Sequence, residues 1–296
     1  MKRVLVSIVV AVLVLVFVAP NVLARPDVNK PLPASEVELV KKVTLSGRPG
    51  GGGKPTKQAA TGVLGELCSG NKYAIIIGIS DYPGTANDLE YCDDDADDVY
   101  KALTTLYGYE PHNIHLLKDT AATFTAIRDA IRDIEAKAVA GDEVVFFFSG
   151  HGANGKAADG DNERIDEAIV AHDESELVPI WDGQLKQWFE GFKTSRIIFI
   201  FDSCLAGGMT DLQASGRIIN MACSENGLSY EGEAWGNGQF TYYFVDQGML
   251  SSLADKYDNL TGWADVTVEE AFDYARANCQ MQKPTISDSF VNDLLP

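Results

Sequence analysis

This sequence is short of histidine and of positive charge. Its 296 residues include four histidines, and 24 Lys plus Arg stand against 43 Asp plus Glu, for a formal charge of −19. So acidic a chain repels phosphate backbones and anionic lipid surfaces, which argues against nucleic-acid and membrane-surface partners. It suits cationic substrates or divalent cations instead. No histidine has H-E-x-x-H spacing and no two cysteines have C-x-x-C spacing. These absences argue against a metal hydrolase, a zinc ribbon and a thioredoxin-like redox site. No internal repeat is visible.

The N-terminus speaks for export. Lys2 and Arg3 precede the apolar stretch "VLVSIVVAVLVLVFVAP", and "NVLA" ends on a small residue suited to cleavage after Ala24. A basic start, an apolar run and a small-residue site describe a cleavable secretory signal; retention as a membrane anchor is the alternative. Arg25, the expected mature start, is not a cysteine, so lipid attachment there is not indicated. Five cysteines follow: Cys68, Cys92, Cys204, Cys223 and Cys279. An odd number leaves at least one free thiol, and setting Cys204 aside leaves three possible pairings of the others.

Composition then divides the chain. Residues 25–70 carry five prolines and a glycine-rich centre with little apolar periodicity, and read as a flexible pro-segment or linker. From residue 71 to 296, apolar runs alternate with amphipathic stretches. Strands are expected at 73–79, 113–119, 142–152, 196–204 and 217–223. Helices are expected at 95–108, 123–138, 182–192, 239–250 and 267–279. Strands that are apolar throughout, separated by helices, predict an α/β three-layer sandwich with a mainly parallel sheet covered on both faces.

Two strands end on reactive groups. "VVFFFSGHG" places His151 just past one strand, and "RIIFIFDSCLAGG" places Cys204 just past another. Open parallel sheets bind ligands at the carboxyl ends of their strands, so neighbouring strands would bring thiol and imidazole together there. The thiolate is the nucleophilic form of cysteine, and a nearby imidazole can favour it and later protonate a leaving amine. Either residue alone reads more simply as a core side chain. Their joint placement at two strand ends is what points to catalysis. Gly152, Gly207 and Gly208 leave room for backbone N–H groups near a developing oxyanion.

With those residues in place, the sequence resembles the caspase-like cysteine peptidases, and among them the metacaspases. "SGHG" is similar to the family's histidine motif, and "DSC" before a glycine-containing turn to its nucleophile motif. The spacing of 53 residues between them fits the roughly 50 of caspase-type pairs. "IIIGISDYPGTANDLEYCDDDADDVYKAL" looks like the start of a metacaspase domain, and "RIINMACSENGLSYE" with "GQFTYY" looks like its small-subunit region. The resemblance runs from about residue 72 to the C-terminus. It implies a caspase-like fold and peptide-bond hydrolysis, with Cys204 as nucleophile, His151 as general acid/base and Gly152 at the oxyanion. One departure is Leu205-Ala206-Gly207, where metacaspases usually continue with His-Ser-Gly.

The acidic residues carry the remaining expectations. "CDDDADD" (92–98) reads simply as carboxylates favourable at a helix N-terminus. The resemblance instead carries Asp95, with Asp202, into the pocket for the residue before the scissile bond, where paired carboxylates select Arg or Lys. The cluster 159–173 is not an EF-hand, because Arg164 stands where the loop needs Gly and Val170 where it needs Glu. The resemblance implies activating Ca²⁺ held by Asp166, Asp182 and Asp211; a solvated acidic loop is the alternative. Basic specificity makes Arg48, Lys54, Lys57 and Arg217 candidate self-cleavage points. The reading is an exported, monomeric, calcium-stimulated endopeptidase acting on polypeptides after Arg or Lys. The alternatives are a legumain- or clostripain-like peptidase of the same fold and an inactive caspase-like binding module.

Overall fold

A computed structural model of the chain describes residues 26–46, 58–160, 163–255 and 265–296. The signal-like stretch 1–24 and the candidate cleavage points Arg48, Lys54 and Lys57 lie outside the described residues. Two short strands come first, β1 (Ala34–Val40) and β2 (Val43–Leu45). A sheet is then built in strand–helix steps: β3 (Lys72–Gly78), α1 (Cys92–Thr105), β4 (Ile114–Lys118), α2 (Phe124–Lys137) and β5 (Glu143–Ser149). The chain leaves that sheet for the antiparallel strands β6 (Gly152–Ala157), β7 (Asp166–Asp173) and β8 (Glu176–Trp181), followed by α3 (Asp182–Phe189). It returns as β9 (Ile197–Asp202) and β10 (Arg217–Met221). The rest comprises β11 (Tyr230–Gly232), β12 (Asn237–Gly238), α4 (Gln239–Thr241) continuing into a π-helical stretch Tyr242–Leu250, α5 (Val268–Asn278) and β13 (Thr285–Asp288).

The central sheet has the order β13-β10-β9-β5-β3-β4, and every pairing in it is parallel except β10 with the edge strand β13. Its inner strands are buried on both faces, which is why their sequences run apolar without alternating. The side chains nevertheless divide by the period of two. Ile75, Ile77, Phe146, Phe148, Phe199 and Phe201 pack with Phe124, Ile127, Leu185 and Trp188 of α2 and α3. Ala74, Ile76, Val145, Phe147, Ile198 and Ile200 pack with Val99, Leu103, Phe244 and Phe272 on the other face. Each large apolar side chain so buried contributes roughly 1.5–3 kcal/mol. Helix starts are fixed locally: the Thr123 hydroxyl accepts from the Ala126 N–H, and Thr267 with Glu270 forms a reciprocal cap on α5.

Three features differ from the sequence-based expectation. Within the stretch expected to be a flexible linker, Ala34–Val40 and Val43–Leu45 are strands, because their backbone groups pair with β6 and β11 even though none of these residues is fully buried. Most of the acidic stretch 159–173 is buried strand β7, at the centre of a four-stranded sheet β1-β6-β7-β8. Arg217, a candidate cleavage point, lies in β10 with its guanidinium bound to the Leu212 and Phe189 carbonyls, so cutting there would require dismantling the central sheet. All five cysteines are free thiols, and no pairing among Cys68, Cys92, Cys223 and Cys279 is formed.

Phe199 lies 4.8 Å from Phe189 edge-on and stacks on Phe201 at 6.2 Å between ring centroids. Phe199→Ala is expected to lower unfolding free energy by about 3–5 kcal/mol. Val291→Ala, at a residue 76% exposed, should stay within about 0.5 kcal/mol of wild type. Urea denaturation midpoints check both.

Candidate active site

The cleft begins with the register of two strands. β5 and β9 are parallel neighbours, and Ser149 is paired with Asp202 at their carboxyl ends. His151 and Cys204 each follow two residues later, so the sheet delivers both to one edge. Two glycines permit the approach. A Cβ at Gly150 would strike the Tyr82 hydroxyl, and one at Gly152 would collide with the Cys204 carbonyl oxygen. Immediately after the thiol, Leu205 adopts φ 61, a left-handed conformation costing roughly 1–2 kcal/mol in an L-residue; it turns the chain sharply behind Cys204.

The imidazole is held on three sides. Its ring stacks on Tyr82 with centroids 4.7 Å apart, and the Tyr82 hydroxyl accepts the His151 backbone N–H at 3.0 Å while donating to the Val170 carbonyl. Nε2 lies 2.7 Å from the Asn87 carbonyl oxygen, so the ring proton belongs on Nε2 and the Nδ1 lone pair faces the cleft. Tyr82 and Asn87 both come from the "DYPGTAND" loop. The sequence motif marked that loop as part of the resemblance without indicating that it aims the histidine.

The thiol and imidazole meet at opposite ends of one peptide group, and that group belongs to the chain itself. Cys204 Sγ is 3.3 Å from the Lys41 carbonyl oxygen, and the Lys42 N–H donates to His151 Nδ1 at 3.2 Å. The Ser229 N–H donates to Sγ at 3.2 Å. Burial pushes the Cys204 thiol up to about 11, against the lowering effect of the Ser229 contact and the Lys42 charge. Burial likewise draws His151 down to about 4, with the Lys41 and Lys42 charges adding to it. At neutral pH the dyad is therefore a neutral thiol beside a neutral imidazole.

The Lys42 side chain fills an acidic pocket next to that peptide. Its Nζ is 3.1 Å from Asp202 Oδ1, 3.4 Å from Asp95 Oδ2 and 2.9 Å from Ser149 Oγ, with all three charged side chains wholly buried. Ser149 in turn donates to Asp95 at 2.6 Å, and the Gly238 N–H donates to the other Asp95 oxygen. Asp202 accepts from Ser229 Oγ on one oxygen and from the Thr241 N–H and hydroxyl on the other. Burial opposes the ammonium, but Asp202, Cys92, Asp95 and Glu231 hold Lys42 well above the usual lysine range. One cation facing two carboxylates leaves an excess of negative charge. Burial, against the pull of Lys42 and with the push of Asp202, raises Asp95 to about 7. A Cβ on Gly238 would come within 2.6 Å of Lys42 Nζ and 2.8 Å of Asp95 Oδ2, so the pocket wall has no room for a side chain there.

His151, Cys204, Gly152, Asp95 and Asp202, the residues expected at the site, thus line a single cleft. Ser149, Ser229, Gly238, Thr241 and Lys42 are not marked as pocket residues by the sequence: Ser149 lies inside "SGHG", Ser229 inside "RIINMACSENGLSYE" and Gly238 and Thr241 inside "GQFTYY", while Lys42 belongs to no motif. The expected cation ligands divide. Asp166 and Asp182 come together with Asp159, all buried, with carboxylate oxygens mutually within 4.8 Å; Glu163 and Glu167 form an overlapping group with Asp182. Asp211 belongs to neither group, and its carboxylate pairs with Lys186 at 3.2 Å.

The protonation state of the dyad is open to measurement. In the resting protein, alkylation of Cys204 by iodoacetamide should be slow at pH 7 and rise about tenfold per pH unit toward pH 11, because only the thiolate reacts. A rate already on a plateau near neutrality would indicate a pre-formed thiolate–imidazolium pair instead.

The family model of the caspase domain, peptidase family C14, matches residues 71–294. Metacaspase-4 of Arabidopsis thaliana is 36% identical over 148 residues, which are 47% of this chain and 34% of that protein. Metacaspase-1 of Schizosaccharomyces pombe is 32% identical over 184 residues, 59% of this chain and 42% of that one. The chain thus spans well under half the length of these relatives. A crystal structure of a protein from Geobacter sulfurreducens shares the fold, with a TM-score of 0.53 at 17% identity over 74% of this chain and 93% of that one. Together with the paired histidine and cysteine at adjoining strand ends, the match over most of the sequence makes this chain a member of the caspase-domain peptidase family.

Proposed function

We propose that the protein is a cysteine endopeptidase that cleaves polypeptides after arginine or lysine. One observation carries this reading: a lysine ammonium sits between Asp95 and Asp202 while its backbone lies against Cys204 and His151. Two buried carboxylates with a serine hydroxyl favour a cationic side chain and repel an acidic one. The relatives named metacaspases support the same class.

In the proposed reaction, His151 Nδ1 takes the proton from Cys204 Sγ. The thiolate attacks the carbonyl carbon of the pocket residue, with the backbone N–H of Gly152 as the expected donor to the resulting oxyanion. The C–N bond then breaks, with His151 returning its proton to the departing amine. Water, deprotonated by the same imidazole, hydrolyses the thioester and regenerates the thiol. Nε2–H on the Asn87 carbonyl makes Nδ1 the nitrogen that takes part in each transfer.

Asp159, Asp166 and Asp182 fit a hard divalent cation such as Ca²⁺: three buried carboxylates this close repel one another unless a cation or protons neutralise them. Bound there, the ion would tie the end of β6 and the start of β7 to the N-terminus of α3. Export by the N-terminal signal and self-processing in the stretch 47–57 belong to the same proposal.

Fluorogenic peptides ending in Arg, Lys and Asp test the specificity. Arg and Lys peptides should be cleaved and the Asp peptide should not, and Cys204→Ala should abolish turnover. Gly238→Ala, by intruding on the pocket, should raise KM for basic peptides by about tenfold or more, the effect of roughly 1.4 kcal/mol. Preference for Asp would refute the reading. For the cation, added Ca²⁺ should raise the melting temperature and activity of the full chain, chelator should reverse both, and Asp182→Asn should lose the thermal response. Identical melting with Ca²⁺ and with chelator would remove calcium from the proposal.

A further inference from the structure

The way Lys42 occupies the pocket does not match the way a substrate must. Cleavage after the pocket residue requires that residue's own carbonyl carbon at Sγ and the following amide nitrogen at the imidazole. Lys42 presents the preceding peptide group instead: the Lys41 carbonyl faces Sγ, and Lys42's own N–H faces Nδ1. The Lys42–Val43 bond leads away from the dyad. The Val43 N–H donates to the Ser229 carbonyl at 3.0 Å, and Val43, Thr44 and Leu45 run parallel to Tyr230, Glu231 and Gly232. A peptide that put the same side chain in the pocket with its own carbonyl on Sγ would have to run antiparallel to β11.

We propose that residues 41–45 are a reversed occupant of the cleft, an inhibitor carried by the chain itself that fills the specificity pocket while withholding the scissile bond. This rests on the Arg/Lys endopeptidase reading and specifies how that site is controlled.

Anchors on both sides hold the segment in place. β1 is hydrogen-bonded to β6, with Val40 paired opposite Gly152, so the segment covers the strand expected to supply the oxyanion donor. On the other side the Thr44 hydroxyl donates to Glu231 at 2.8 Å, and the Lys41 ammonium donates to the Ala86 carbonyl at 2.6 Å. The Lys41 carbonyl meets a thiol that hydrogen-bonds its oxygen, and His151 Nδ1, already accepting the Lys42 N–H, is not free to take the thiol proton. A tethered ligand of this kind competes at an effective concentration on the order of millimolar, without needing high intrinsic affinity. External substrate therefore binds only the fraction of molecules in which the segment has lifted away.

The experiment uses the full chain with Lys42→Ala, Lys42→Met and Val43→Pro, the last removing the N–H that binds Ser229 without touching the pocket. Three quantities are followed: Cys204 alkylation by iodoacetamide at pH 7.5, hydrolysis of an Arg-ending fluorogenic peptide, and intact mass over time. Labelling should quicken about tenfold or more in the variants as the closed fraction is lost, and hydrolysis should rise in step. Wild-type protein should stay uncut between Val40 and Leu45. If Lys42→Ala does not fold, the Lys42→Met and Val43→Pro proteins give the same readout. Unchanged labelling in the folded variants would overturn the proposal. So would a Cys204-dependent cut at Lys41–Lys42 or Lys42–Val43 in wild type, since the segment would then be a substrate. Faster labelling without hydrolysis of any basic peptide would uphold the blockade and refute the endopeptidase reading.

Discussion

The parallel pairing of β5 with β9 is the constraint on which the site depends. In a parallel sheet both strands end at the same edge, so pairing Ser149 with Asp202 sets His151 and Cys204 side by side by geometry alone. The same register also brings Ser149 and Asp202 to one pocket, where Asp95 reaches them from the first turn of α1. Shifting either strand by one residue would turn both its core face and its terminal group the other way. The aromatic core residues of β5 and β9 therefore do more than stabilise the sheet: they fix the register that makes the dyad.

Electrostatics in the cleft are organised by burial. Removing Asp95, Asp202 and Lys42 from water is expensive, and the cost is met by an unusually complete set of donors: Ser149, Ser229, Thr241 and the Gly238 N–H. Those groups come from β5, from the loop before β11, from the end of β12 and from the helix that follows it, so the pocket exists only once the closing elements have docked. The dyad shows the opposite side of the same effect. With the segment in place and water kept out, thiol and imidazole are both neutral, and restoring water to the cleft would relieve the desolvation that holds them so.

The segment ahead of the domain shows how weak local patterns acquire structure. "ASEVELVKKVTLS" contains no proline or glycine, and it reads as a linker only through the proline- and glycine-rich stretches on either side of it. It forms strands because β6 and β11 leave unpaired edges on either side of the cleft, and a passing chain can satisfy both. Its two lysines cross the gap between those edges, where the carboxylates are. A similar contrast holds for 159–173, whose acidic composition suggests a solvated loop although Ala168, Ile169, Val170 and Ala171 make it a buried strand.

By itself the sequence determined the layered α/β architecture and the strands of the central parallel sheet to within about three residues, and it singled out the thiol, the imidazole and the two carboxylates that the fold brings together. Each of these is written in local runs: apolar strands, amphipathic helices, and short motifs at strand ends. Only the tertiary structure decided that Tyr82 and Asn87 orient the imidazole, that Gly238 and Thr241 complete the pocket, that Asp159 joins Asp166 and Asp182 while Asp211 turns to Lys186, and that Lys42 lies in the pocket with its backbone reversed. These are contacts between segments separated by as many as 163 residues, governed by strand-edge pairing and buried charge. Neither leaves a mark in the spacing of residues along the chain.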